Sequence, residues 1–131
     1  MNILDIVKDI IMADAQLQFY LQSRVYYYQV TENADVSKPF VVLKPILNQP
    51  SDFASDKYLS ESYLIQVDVE STNHQITNDI TKRIRYLLFD NNLVQASSQL
   101  DEFFEATKRY VMSRRYSGIP KNQYYKGEHI E

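Results

Sequence analysis

Asp68 and Glu70 stand two residues apart, and His74 follows close behind. Two carboxylates and an imidazole at that spacing could hold a hard or borderline cation. A metal-dependent nuclease of the restriction type needs a carboxylate and then an Asp/Glu-x-Lys on the next strand. The tripeptide Asp68-Val69-Glu70 carries glutamate where that lysine belongs, and Asp52 comes from a loop stretch. The set is incomplete, and its ordinary reading is the solvent face of an antiparallel strand. Serine hydrolysis fares no better. It needs a serine on a sharp, glycine-flanked turn and a histidine partner. Gly118 and Gly127 are the two glycines, neither beside a suitable serine, and the histidines are His74 and His129. Phosphate cradles built on glycine-rich loops are excluded for the same reason. The chain has no cysteine, which removes zinc–thiolate sites, iron–sulfur clusters, disulfides and cysteine nucleophiles together. No catalytic residue, cofactor or metal ligand is expected.

A basic cluster, Lys108, Arg109, Arg114 and Arg115, is interleaved with Tyr110 and Tyr116. Cations between aromatics can bind single-stranded nucleic acid. In a strand, however, Arg109 and Arg115 point one way and Lys108 and Arg114 the other, which splits the patch. Net charge is −3 over 131 residues, against a general nucleic-acid binder. Residues 1–70 hold five basic and ten acidic side chains, and residues 71–131 nine and seven. Pairing of the cluster with the acidic first half is therefore the expectation.

The elements that carry these residues follow from periodicity. Ile3, Leu4, Ile6, Val7, Ile10 and Ile11 recur at helical spacing behind Asn2, a capping residue, and a short helical turn over 14–21 follows. The β-branched and aromatic run 25–30 predicts a strand, and 40–43 begins another. Pro45 and Pro50 are expected to end its regular pairing. A loop over 48–58 follows. Tyr63, Ile65, Val67 and Val69 alternate with polar residues, which is the signature of a half-buried strand. Ile76, Ile80, Ile84, Leu87 and Leu88 then form a helical stripe, with Asp79 and Arg83 spaced for an i,i+4 pair. A strand over 93–98, an acidic turn over 101–105 and a last strand over 107–116 complete the chain. The expected class is α+β: one mainly antiparallel sheet of about five strands, with helices on one face, in the order α-β-β-β-α-β-β. Residues 1–116 form the single domain, and 117–131 a polar tail.

No stretch reaches the ~20 apolar residues that span a bilayer, and the start lacks the pattern of a signal peptide. Eleven tyrosines and a long polar loop suggest contact surface instead of a reaction centre. Asp52, Phe53, Asp56, Lys57 and Tyr58 of the loop, Arg114, Arg115 and Tyr116 of the last strand, and Tyr124 and Tyr125 of the tail are the candidate assembly residues.

The segments RVYYYQVTENADVSKPFVVLKPI at 24–46, FASDKYLSESYLIQVDV at 53–69 and ATKRYVMSRRYSG at 106–118 frame nearly the whole chain. In that order the sequence resembles the tail-completion or tail-terminator proteins of long-tailed phages and prophages of Gram-positive bacteria. The resemblance implies a non-enzymatic virion protein, assembled in the bacterial host cytoplasm. It implies a ring, usually of six copies, between the tail tube protein and the head-completion or connector protein, through which DNA passes without specific binding. A small cytoplasmic adaptor or nucleic-acid-binding protein is the alternative, and a metal-dependent nuclease a more distant one.

Overall fold

A computed structural model describes residues 2–51 and 60–120. Helices α1 (Ile3–Met12) and α2 (Ala15–Leu21) come first, followed by strands β1 (Val25–Tyr27), β2 (Phe40–Ser51) and β3 (Ser60–Ser71). Helix α3 (His74–Asp90) and strands β4 (Leu93–Phe104) and β5 (Arg109–Gly118) complete the order. The five strands form one sheet in the order β1-β2-β3-β5-β4. The class is α+β, as the patterning implied. Two details differ from expectation. The 14–21 turn is a helix in its own right, and β1 lies parallel to β2, so the sheet is mixed.

Each helix begins on a side chain that accepts from an otherwise unpaired N–H. Asn2 Oδ1 accepts from Leu4 N at 2.7 Å, Asp14 Oδ2 from Leu17 N at 3.1 Å, and Asn73 Oδ1 from Ile76 N at 2.9 Å. Asp14 has a second task. Arg83, halfway along α3, donates to it through Nε and through Nη2 at 2.6 Å. The expected Asp79–Arg83 pair on α3 is replaced by this fork between helices, and Asp79 accepts from Gln75 instead. A planar guanidinium makes two parallel bonds to one carboxylate, and Asp14 is placed to accept both.

The Arg83 hydrogen bond holds the Asp14 carboxyl below its ordinary range, against the opposing effect of burial. A folded-state value below the unfolded one of 3.8 stabilises the fold above that pH. The gain is lost as pH falls through the lower, folded value. Asp14→Asn keeps an oxygen for the cap and removes the charge. In denaturant titrations, the wild type is expected to lose stability more steeply than Asp14→Asn as pH drops below about 4. Asp14→Ala loses the cap as well and costs about 1 kcal/mol more than Asp14→Asn.

Strand β2 runs through both prolines, where the sequence reading ended its pairing. The reason lies in the topology. Val41 N donates to Arg24 O, and Leu43 O accepts from Tyr28 N, so odd positions of β2 turn their backbone groups toward β1. Strand β1 ends at Tyr27, beside Leu43. Pro45 therefore turns its nitrogen to an edge with no partner strand, where a missing N–H costs nothing. The register to β3 slips by one residue at Ile46, and that shift brings Pro50 to the same free edge. Positions 48–51, expected in a loop, are paired with β3.

Strands β4 and β5 are also longer than the patterning indicated. Residues 101–104, expected as an acidic turn, are strand paired with 109–112, and the turn itself is 105–108. Strand β5 continues to Gly118, past the expected boundary at 116. All three helices pack on one face. Ile3, Leu4, Val7, Leu17, Leu21, Ile80, Ile84 and Leu88 meet Val41, Leu43, Ile65, Val67, Val69, Leu93 and Tyr116 there. Thr77 and Thr81 are buried within this layer and satisfy their hydroxyls on Asn73 O and Thr77 O, each at 2.8 Å.

Candidate assembly surface

Opposite residues of an antiparallel pair share a face. The register therefore assigns the chemistry-bearing residues without ambiguity. Gln66, Asp68 and Glu70 of β3 lie with Val111, Ser113 and Arg115 of β5 and with Phe40, Val42 and Lys44 of β2, on the face away from the helices. There Lys44 Nζ is 3.2 Å from Asp68 Oδ2, Gln66 bridges Asp68 and Arg115, and Arg109 Nε donates to Glu70 at 3.0 Å. The two carboxylates considered for a metal are thus each matched to a cation on the neighbouring strand. His74 is the first residue of α3, and its ring lies edge-on to Tyr110 at 5.3 Å between centroids.

Beneath this ladder lies a second, smaller apolar layer that sequence reasoning missed. Phe40, Val42 and Val111 are buried although no helix covers them. Arg109 does part of the covering, with its guanidinium 5.7 Å from the Phe40 ring centroid. Tyr26 meets the same ring edge-on. Arg109 also donates to Val36 O, so the β1–β2 connection folds back against this face. Arg24, donating to Pro39 O at 2.7 Å and to Tyr20 O at 2.8 Å, fixes its end.

Of the expected contact residues, Asp52, Phe53, Asp56, Lys57, Tyr58, Tyr124 and Tyr125 lie outside the described residues. Arg114 sits on the helix face and forks onto Asp101 at 2.6 and 3.2 Å, while Arg115 lies on the opposite face with Gln66. The pairing expected with the acidic first half holds for Arg109. Arg114 and Lys108 instead take partners within their own hairpin, Asp101 and Glu105. Tyr116 is a correction. It is 1% exposed, and burial pushes its phenol up to about 12. It belongs to the core and offers nothing to a second molecule.

The accessible apolar surface lies elsewhere. Strand β4 is at the end of the sheet, and its residues 98–104 are exposed. Val94, Leu100, Phe103 and Phe104 are among its solvent-facing side chains. Beside it, α3 turns Tyr86 and Phe89 outward at 62% and 64% exposure. Lys82, Arg85, Tyr86, Phe89, Val94 and Gln95 line a groove of about 680 Å³ between helix and strand. A long unpaired edge that exposes large apolar side chains invites association. The signal was present in the sequence. Lys82, Tyr86 and Phe89 recur at i, i+4 and i+7, off the core stripe, as a second stripe on α3.

No family model and no curated protein matches the sequence. Among solved structures, the fold is shared with a chain from the virion of a native gene transfer agent particle. The TM-score is 0.62 at 10% identity, covering 90% of this chain and 93% of that one. At that identity the likeness shows a common fold, matched over nearly the full length of both chains.

Proposed function

We infer that this chain is a structural protein of a phage-type virion, and that it works as a tail-terminator or head–tail joining ring subunit. The observation that carries the reading is the full-length fold likeness to a chain of a gene transfer agent virion. It agrees with the resemblance of the 24–46, 53–69 and 106–118 segments to tail-completion proteins. The surface supports it too. A long exposed sheet edge carrying Leu100, Phe103 and Phe104, beside Tyr86 and Phe89 of α3, is suited to a protein neighbour.

The carboxylates and arginines that chemistry or nucleic-acid binding would need are engaged with one another, so no enzymatic step is assigned. The partners would be further copies of this chain, a tail tube protein and a head connector. DNA would pass through the ring without sequence-specific contact.

The test is assembly. Purified chain, alone and mixed with tail tubes of the phage or prophage that encodes it, is measured by analytical ultracentrifugation and electron microscopy. A closed ring, or a ring capping the tube, is expected. A chain that stays monomeric in both settings removes the reading.

A further inference from the structure

A ring requires two different patches on each subunit, one meeting the other on the next copy. The fold places two such patches at opposite ends of the sheet. At the β4 end is the groove lined by Tyr86, Phe89 and Val94, with Lys82 and Arg85 on its wall. At the β1 end, α1 turns Asp5 and Asp9 to solvent. Asp5 accepts from the Tyr27 hydroxyl, and Lys8 holds its ammonium 5.7 Å from the same ring, so this turn of α1 is fixed beside β1 with two carboxylates against one cation. Both aspartates lie close enough to raise the Tyr27 phenol, adding to the larger effect of its burial. Tyr28, 62% exposed, stands on the same edge, where its N–H closes onto Leu43 O.

We propose that the groove between α3 and β4 receives the acidic α1–β1 edge of a second copy of this chain, with Lys82 and Arg85 facing Asp5 and Asp9. This rests on the ring reading and deepens it by naming the two faces. Charge complementarity selects this occupant. A groove-to-groove contact between two copies would set Lys82 and Arg85 against their own counterparts, and like charges brought together in a contact are costly. The acidic edge has the opposite sign, and the aromatic floor supplies apolar area that the ion pairs alone would lack. A head-to-tail contact of this kind repeats from copy to copy and closes into a ring if its rotation allows.

The experiment is charge exchange in the full-length chain, read by mass in solution with folding checked by circular dichroism. Lys82→Glu with Arg85→Glu, and separately Asp5→Lys with Asp9→Lys, are each expected to weaken self-association at least about 100-fold. An equimolar mixture of the two variants restores assembly, because each altered face then meets an altered complement. The quadruple variant restores it alone. Asp9→Lys by itself, which leaves Asp5 on Tyr27, serves where the double change unfolds α1. If both double variants assemble like the wild type, or if the mixture fails to recover, the assigned faces are wrong while the ring reading stands. If the groove variant loses binding to a single-stranded oligonucleotide and keeps assembly, the groove serves nucleic acid and the assignment falls. If the wild type never assembles, alone or on tail tubes, the ring reading falls first.

Discussion

Gly118→Ala is expected to destabilise the fold by about 3 kcal/mol, a large share of what holds a domain of this size together. Gly118 has φ +149, a region that residues with a side chain rarely enter. A Cβ there would lie 1.9 Å from Asn92 O, a backbone atom. Neither partner can give way easily. Gly118 is paired with Tyr63 of β3 on one side and Leu93 of β4 on the other. Asn92 closes the turn from α3 into β4, itself at φ 66. Relief would mean pulling the end of β5 away from both neighbours, or displacing the turn that seats Leu93 in the core. Equilibrium urea unfolding should show the midpoint falling with the slope unchanged, the mark of a lost native-state contribution. Thermal unfolding should drop by about 10 °C. A change below about 0.5 kcal/mol would mean that the strand end moves freely, and that the close approach of β5 to the turn is not part of the folded state.

What the sequence made legible, and what it hid, divides along a physical line. Where burial is decided by one element's own periodicity, the residues announce it. Ile3 to Ile11 form the inner face of α1, and Tyr63, Ile65, Val67 and Val69 the inner face of β3, as their spacing implied. Where the outcome depends on which strand lies alongside, a local reading fails. Pro45 ends a strand only if its nitrogen faces a partner, and here it faces the edge left open where β1 stops. Residues 101–104 look like a turn because they are acidic and exposed, yet pairing with β5 alone keeps them extended. Arg83 had a suitable partner at Asp79, and chose Asp14, 69 residues away, because two converging helices allow a forked geometry. Of the candidate assembly residues, Tyr116 was misjudged because a tyrosine beside arginines reads as surface, while the register of β5 turns it inward with Ile65.

The same register explains why the basic cluster is a weak candidate for nucleic acid. A binding strip needs cations on one side, free to meet phosphates. Strand alternation sends Arg114 to the helix face and Arg109 and Arg115 to the other. Each then has an acceptor from its own chain. The cations that remain outward on α3, Lys82 and Arg85, are the ones beside exposed aromatics. The surface most open to a neighbour is therefore set by the far side of a core helix, and not by the strand whose composition first drew notice.

That surface leads to the second large effect. Phe89→Gln is expected to weaken self-association about 30-fold, and together with Tyr86→Gln to reduce it below detection at micromolar concentration. Phe89 exposes most of its ring in the isolated chain, so its replacement removes little from the core. Buried against a neighbour, the same ring would contribute about 2 kcal/mol of apolar transfer. The two quantities separate the roles. A residue needed for folding would lower the unfolding midpoint and the assembly constant together; an anchor of the groove lowers only the second. Glutamine keeps helical propensity near the end of α3, so stability should stay within about 0.5 kcal/mol of the wild type. Phe19, 79% exposed on α2 and outside the groove, is the control. Phe19→Gln should leave assembly untouched if the α3–β4 groove is where copies meet. Should Phe19→Gln break the assembly and Phe89→Gln spare it, the contact would belong to α2, and the apolar edge of β4 would need another occupant.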